Sequence, residues 1–223
     1  MENSVYHSLK QECEQRKVTL VAVSKTKSAA AIQELYDLGQ RDFGENYVQE
    51  LVQKQQELPV DIRWHFIGHL QSNKVKMIAP FVHLIHAVDS FKLLQEIAKQ
   101  AAKNERTIDV LLQLHVADED TKFGMDENEL MYCLEQYTAQ LRELQHVRIR
   151  GLMGMASFTE DITQVRQELH RVRNAFVQMK QTFFTGRPYF DTCSMGMSSD
   201  YKIAVEEGST MVRIGSMLFG SRA

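Results

Sequence analysis

Apolar residues in this chain fall into short continuous runs, separated by longer stretches in which they recur at helical spacing. The run Thr19-Leu20-Val21-Ala22-Val23 is β-branched and uncharged, and it stops abruptly on Ser24-Lys25-Thr26-Lys27. So short an apolar run suits a strand buried on both faces, as in a parallel sheet. Ala30, Ile32, Leu35, Tyr36 and Leu38 then carry a helical pattern up to Gly39. The unit reads strand, turn, helix, with Lys25 at the carboxyl end of the strand.

The same unit recurs. Ahead of it, Val5, Leu9 and Cys13 form a sparse stripe that predicts a leading helix over 4–16. Residues 41–46 read as a short strand with a polar end, and 47–58 as a helix halted by Pro59. Alternation over 61–68 predicts a strand, after which Ser72-Asn73 can cap a helix running toward Pro80. Further strands are predicted at 82–88, 108–116, 147–155, 189–195 and 211–219. Helices follow from Asp89-Ser90 onward and over 130–144, 162–182 and 200–207. About eight strands in alternation with helices favour one closed (β/α)8 barrel of the TIM type with an N-terminal helix, spanning residues 1–223 as a single domain. A doubly wound open sheet is the alternative.

Length and charge agree with that class. The chain has 223 residues and a formal net charge of −3, with acids and bases intermixed, which leaves no basic stripe for nucleic acid. No apolar run approaches the roughly 20 residues of a membrane span, and the polar start Met1-Glu2-Asn3-Ser4 lacks a signal-peptide layout. Cys13, Cys133 and Cys193 are scattered without metal-ligand spacing, which reads as reduced thiols in a cytoplasmic protein.

Barrels gather their strand ends at one mouth. The residues assembled there are Lys25, Asn46, His65 with Gly68 and His69, Asp89, Asp118, Ser157, Ser198, and Arg213 with Gly215-Ser216. Lys25 has two readings. It is either a lysine whose ammonium reaches water along its stem, or an amine held against apolar walls near Lys27 and able to attack an aldehyde. Gly196-Met197-Ser198 and Val212-Arg213-Ile214-Gly215-Ser216 lie in the last two units, where barrels commonly bind phosphate; the alternative is that these glycines only turn the chain. An aldehyde-reactive lysine with a phosphate cup points to pyridoxal 5′-phosphate. Arg213 then lies near either the pyridine nitrogen or the phosphate. Beside the nitrogen it disfavours ring protonation and weakens the ring as an electron sink.

Several segments together resemble one family closely: Ala22-Val23-Ser24-Lys25-Thr26-Lys27, Phe43-Gly44-Glu45-Asn46-Tyr47-Val48-Gln49-Glu50 and Trp64-His65-Phe66-Ile67-Gly68-His69-Leu70-Gln71-Ser72-Asn73-Lys74. Gly151-Leu152-Met153, Ser194-Met195-Gly196-Met197-Ser198 and the run from Gly208 to Ser216 complete the pattern. They resemble the pyridoxal-phosphate homeostasis proteins, relatives of the barrel domain of alanine racemase, from about Thr19 to Gly220. The resemblance implies a barrel that binds pyridoxal phosphate as a Schiff base of Lys25. It places Asn46 close to the cofactor, Ser198, Gly215 and Ser216 at the phosphate, and Arg213 at the ring or phosphate. It also implies storage or delivery of the cofactor with little or no turnover, and apoenzymes that use pyridoxal phosphate as recipients; a monomer is expected. The chain departs from the family pattern at Ser28 (usually proline), His115 (commonly asparagine), Gly154-Met155 and Cys193.

Other readings are weaker. His65 and His69 have metal-like spacing but supply too few ligands for zinc. Asp118, Glu119 and Asp120 resemble a calcium loop only in charge. Arg166, Glu168, Arg171 and Arg173 read as the exposed side of a barrel helix, and Met153, Met155, Met195 and Met197 as packing beneath the cofactor or in the core. Two further functions stay open: a pyridoxal-phosphate racemase or decarboxylase with an unidentified second base, and a sugar-phosphate barrel enzyme in which Lys25 forms no imine. Lys27, Lys74 and Lys122 are candidates for accepting the aldehyde transiently.

Overall fold

The structure is a computed structural model and describes residues 3–117 and 123–220, Asn3 by its backbone alone. Eight parallel strands close into a barrel in chain order: β1 (Thr19–Val23), β2 (Asp42–Glu45), β3 (Arg63–Phe66), β4 (Leu84–Val88), β5 (Ile108–Leu114), β6 (Val147–Gly154), β7 (Thr192–Ser194) and β8 (Met211–Ile214). Closure is direct, with Thr19 of β1 in register with Met211 of β8 and Ala22 with Ile214. An open doubly wound sheet is thereby excluded.

Strand alternation divides the side chains between two environments. Leu20 and Ala22 of β1, Trp64 and Phe66 of β3 and Val212 and Ile214 of β8 face the helices and join the large apolar core. Val21, Leu111, Met153 and Met211 belong to a separate small cluster with Leu84 and Ala87. The residues between them, His65, His86, Gln113, Ser194 and Arg213, are polar and buried. Barrel interiors are commonly filled by layers of branched apolar side chains; this one is partly polar.

Helices sheathe the strands. α1 (Asn3–Gln15) packs through Tyr6, Leu9 and Cys13, so the inner contact is Tyr6, where the sequence stripe had placed Val5. α2 (Ala29–Asp37) starts on Ser28, whose Oγ accepts from the Ala31 N–H at 3.3 Å; the residue that replaces the family's usual proline caps the helix. α3 (Val48–Glu57) ends before Pro59. Ser72 and Asn73 make no side-chain cap; a 3-10 turn, Ser72–Lys74, leads into the short α4 (Val75–Ile78). α5 (Phe91–Lys103) is capped by Ser90. α6 (Glu127–Ala139) begins three residues before the predicted helix, because Asp126 and Glu129 form a reciprocal capping box. α7 (Ile162–Thr182) has the predicted bounds, and α8 (Tyr201–Glu206) is one residue shorter at each end than predicted.

β2 to β8 are all shorter than the predicted strands, and the last two differences bear on the site. β7 comprises Thr192–Ser194 within the predicted 189–195. The final strand stops at Ile214, and the chain turns at Gly215 into α9 (Ser216–Phe219), so 211–219 is a strand followed by one helical turn. That break puts Gly215 and Ser216 at the barrel mouth. Cys13, Cys133 and Cys193 are free and buried, and among the described residues no helix is long and apolar enough to cross a membrane.

Candidate functional site

Lys25 lies two residues beyond β1 on a turn fastened from both sides. The Ser24 N–H donates to Gly44 O at 3.0 Å, and Ser24 Oγ donates to Glu45 Oε1 at 2.6 Å. On the other side the Thr26 N–H donates to Glu50 Oε1 at 2.6 Å. Thr26 has φ of +65°, a left-handed conformation that a β-branched residue holds only when its surroundings impose it. The clamp is Lys54 of α3, 5 % exposed, whose ammonium reaches Ser24 O and Glu45 Oε1 at 2.7 Å and Glu50 Oε1 at 2.6 Å. Burial raises the Glu45 carboxyl above its usual pKa, against the opposing pull of Lys54 and Ser24. Its Oε2 is buried with no partner among the described residues.

Asn46 follows β2. It is brought into place by a close approach of the next strand end: a Cβ at Gly68 would fall 2.3 Å from Asn46 O, so a side chain there would push the two apart. Asn46 Oδ1 is buried and has no partner among the described residues. A buried acceptor left unpaired costs about 1–3 kcal/mol.

Across the mouth, Gly196 has φ of +98° and lies where a Cβ would stand 2.6 Å from the Ala204 Cβ; it turns the chain after β7. Ser198 then faces the break after β8, and the Gly215 N–H donates to Ser198 Oγ at 3.3 Å. Arg213 of β8 points inward and is 3 % exposed. Its Nη1 donates to Ser194 O at 2.8 Å and Ser194 Oγ at 2.6 Å, and its Nη2 to Gly154 O at 3.0 Å. Burial lowers its pKa to about 10, which leaves it charged at neutral pH. Of the five N–H groups of a guanidinium, these bonds use three. The Nε–H and one Nη2–H remain without a bond among the described residues.

Lys25, Asn46, Ser198, Arg213, Gly215 and Ser216 line one cavity of about 550 Å³, within the range of small-molecule sites. Val23, Ile67, Met155 and Met197 give it apolar walls, and Phe158, 88 % exposed, stands at its edge. All six residues singled out as a binding set are thus brought together. Met153 and Met195 are buried in the core, whereas Met155 and Met197 reach the cavity.

Other strand-end candidates are not part of it. His65 sits inside the barrel against Asp42 and His86, while His69 pairs with Asp89 at 3.1 Å and stacks on Phe123, so the two histidines do not share a ligand. The structure instead groups His65 with Asp42 and His83, their ligand atoms within 4.8 Å of one another. Asp42 is already occupied by the Arg63 guanidinium, which opposes a cation there. Ser157 is taken by Glu168, which accepts from both its N–H and its Oγ; Glu168 is therefore buried, not on the exposed side of α7. Lys27 lines the cavity, but its ammonium donates to Phe219 O at 3.1 Å. Asp118, Glu119, Asp120 and Lys122 lie outside the described residues.

Sequence reasoning missed the supports: Lys54, Glu50, Ser194 and His86. Glu50 and Lys54 stand four apart on a predicted helix, and His86 interrupts a strand that is otherwise apolar. Each was a usable signal.

Comparison with known proteins places this geometry in a family. The model of the alanine racemase N-terminal domain matches residues 5–223. The chain is 40 % identical over 209 residues to the pyridoxal phosphate homeostasis protein of Escherichia coli strain K12, covering 92 % of this chain and 86 % of that one. PipY of Synechococcus elongatus PCC7942, solved with pyridoxal phosphate bound, superposes with a TM-score of 0.83 at 36 % identity, covering 97 % of this chain and all of that one. Alanine racemase from Bartonella henselae superposes with a TM-score of 0.70 at 16 % identity, covering 95 % of this chain and 57 % of that one, a likeness of fold alone.

Proposed function

The chain belongs to the pyridoxal phosphate homeostasis protein family, and from that premise we propose that it holds pyridoxal 5′-phosphate in the cavity at the carboxyl mouth of its barrel. The observation that carries the reading is the convergence of Lys25, two unused N–H groups of Arg213, the unpaired Asn46 Oδ1 and the Ser198–Gly215–Ser216 loops on one space of about 550 Å³. This donor set fits the cofactor. An amine can form a Schiff base with an aldehyde, hydroxyls and loop amides suit a phosphate, and a fixed cation suits a ring nitrogen or an anion.

The roles follow from what each group can do. Lys25 Nζ is the covalent anchor, and the Ser24–Glu45–Lys54–Glu50–Thr26 clamp keeps its turn in one conformation. Ser198, Gly215 and Ser216 hold the phosphate. Asn46 Oδ1 accepts from a donor on the ligand. Arg213 addresses the ring nitrogen with N–H donors and no acceptor. When bound, the cofactor supplies an electron-withdrawing pyridine ring, and a donor-only, charged neighbour keeps its nitrogen unprotonated and that withdrawal weak.

Holding, rather than turnover, is the expected outcome. Racemisation needs an acid or base on each face of the ring. Among the described residues the ionisable side chains lining the cavity are Lys25, Lys27 and Arg213, and Lys27 is tied to Phe219 O. We read the chain as a reservoir that keeps the cofactor available to apoenzymes. Its three free, buried cysteines suit the reducing cytoplasm, and we expect it to work as a monomer.

The test is an absorbance titration with pyridoxal phosphate, wild type beside Lys25→Ala. A visible band in the wild type, absent in the variant, is expected. No band in the wild type overturns the reading. Saturable conversion of an amino acid that Lys25→Ala abolishes would favour a racemase or decarboxylase.

A further inference from the structure

Beneath the cavity, a line of polar contacts runs down the inside of the barrel to its opposite mouth. Arg213 Nη1 donates to Ser194 Oγ at 2.6 Å, and Ser194 Oγ lies 3.2 Å from His86 Nδ1. His86 Nε2 lies 2.9 Å from His65 Nδ1, and His65 Nε2 lies 2.9 Å from Asp42 Oδ1. Asp42 in turn receives Arg63. His86 and Ser194 are fully buried and His65 is 1 % exposed. Asp42 opens β2 and Asn46 follows it, about 13 Å further along at roughly 3.3 Å per residue.

With both imidazoles neutral, the direction of every hydrogen in this line follows from its ends. A guanidinium only donates and a carboxylate only accepts. Ser194 Oγ must accept from Arg213, which leaves its own hydrogen for His86 Nδ1. His86 then carries its proton on Nε2 and donates to His65 Nδ1, and His65 carries its proton on Nε2 and donates to Asp42. With neutral imidazoles, this is the single arrangement in which all four contacts are hydrogen bonds. Burial holds the His86 pKa well below its usual value, in keeping with a neutral ring.

We propose that His86 and His65 are positioning residues for Arg213, acting through Ser194 in a one-directional hydrogen-bonded chain that ends on Asp42, so that a carboxylate at one mouth of the barrel orients the guanidinium offered to the ligand at the other. The proposal rests on the cofactor reading above for the identity of that ligand. The chain explains why the interior gives up apolar packing at these positions: it holds the charged head of Arg213 with two donors left over, and it satisfies each buried ring nitrogen along the way. His86 touches neither the cavity nor any ligand in it; its effect passes through Ser194.

The experiment has two readouts. In protein without added cofactor, nitrogen-15 NMR of the imidazoles should show both His86 and His65 as neutral Nε2–H tautomers. A proton on Nδ1 of either ring, or a charged His86, overturns the chain. With pyridoxal phosphate added, His86→Leu should raise the dissociation constant about tenfold, the size of one lost hydrogen bond supporting a charged group, and shift the visible band. His86→Gln, whose amide can accept from Ser194 and donate to His65, should recover most of both. Asp42→Asn, at the far mouth, should shift the same band by a smaller amount. An unchanged band and affinity in His86→Leu, while Lys25→Ala abolishes binding, overturns the positioning role and leaves the cofactor site intact. A wild type that takes up no cofactor overturns the cofactor reading, and with it the role of the chain toward that ligand, and the tautomers then decide the chain itself.

Discussion

The two mouths of this barrel are built from similar residues and finished differently. At the amino mouth the charges close on one another. Arg63 forks onto Asp42, Arg148 forks onto Asp109, and Arg150 bridges Asp109 and Asp191. At the carboxyl mouth polar groups stop short of satisfaction. Asn46 Oδ1 and Glu45 Oε2 are buried without partners among the described residues, and Arg213 keeps two N–H groups in reserve. Both mouths contain cavities of comparable size, about 440 and 550 Å³. Volume therefore does not distinguish them, whereas polar groups left open do. The paired charges of the amino mouth contribute stability; the carboxyl mouth is the one we propose takes the ligand.

Substitutions at the two ends should separate these properties. The largest effect on stability is expected from Asp109→Ala, which strands Arg148 and leaves Arg150 with Asp191 and Tyr189 O. Breaking a buried pair costs about 3–5 kcal/mol; because both arginines are partly exposed, about 2–3 kcal/mol is expected after solvent screening. Thermal unfolding should show it, with cofactor uptake by the folded fraction unchanged. A loss of uptake without a loss of stability would merge the two mouths functionally.

Acid should act at the same end. Burial pushes the Asp42 carboxyl up, but the bonds from Arg63 and His65 outweigh that and hold it well below the carboxylate range. A depressed pKa stabilises the fold above the unfolded-state value of about 3.9 and is lost as pH falls below it toward the folded value. The unfolding midpoint of the wild type should fall below about pH 4, and that of Asp42→Asn should fall less steeply. Parallel curves would contradict the pairing.

At the open mouth the expectation reverses. Asn46→Ala removes an acceptor that the protein leaves unpaired, so stability should hold or rise slightly, while cofactor affinity falls about tenfold, worth ~1.4 kcal/mol. Equilibrium dialysis beside a melting curve checks both. The smallest effect is expected from Ser28→Ala. It removes the cap of α2 at a cost of about 0.5–1 kcal/mol and leaves the cavity unchanged. A larger loss of cofactor than of stability would mean that the cap also sets the Lys25 turn.

What could be read from sequence follows the same division. The alternation of short apolar runs with helical stripes favoured the closed barrel over an open sheet, and the pairing of β1 with β8 decides it. The six residues of the proposed site were legible because they fall at strand ends within segments that resemble the family; strand-end position by itself also nominated His65, His69, Asp89 and Ser157, which do not line the cavity. What escaped was lateral. Nothing in a linear pattern says that Lys54 turns inward to fasten Ser24 and Glu50, or that Glu168 leaves the exposed side of α7 to hold Ser157. The final strand was overextended because Ile214 to Phe219 is apolar enough for either structure, and only the turn at Gly215 decides. His65 was placed at the ligand mouth because its strand ends there; alternation along β3 turns it into the barrel interior, bonded to Asp42 at the other mouth.

The most direct measurement is borohydride reduction of the protein loaded with pyridoxal phosphate, followed by peptide mapping of the modified lysine. The account predicts a single pyridoxyl adduct on Lys25, formed in proportion to the visible band that reduction removes. An adduct on Lys27, Lys74 or Lys122 in place of Lys25, or a band lost on reduction with no stable adduct on the chain, would contradict it.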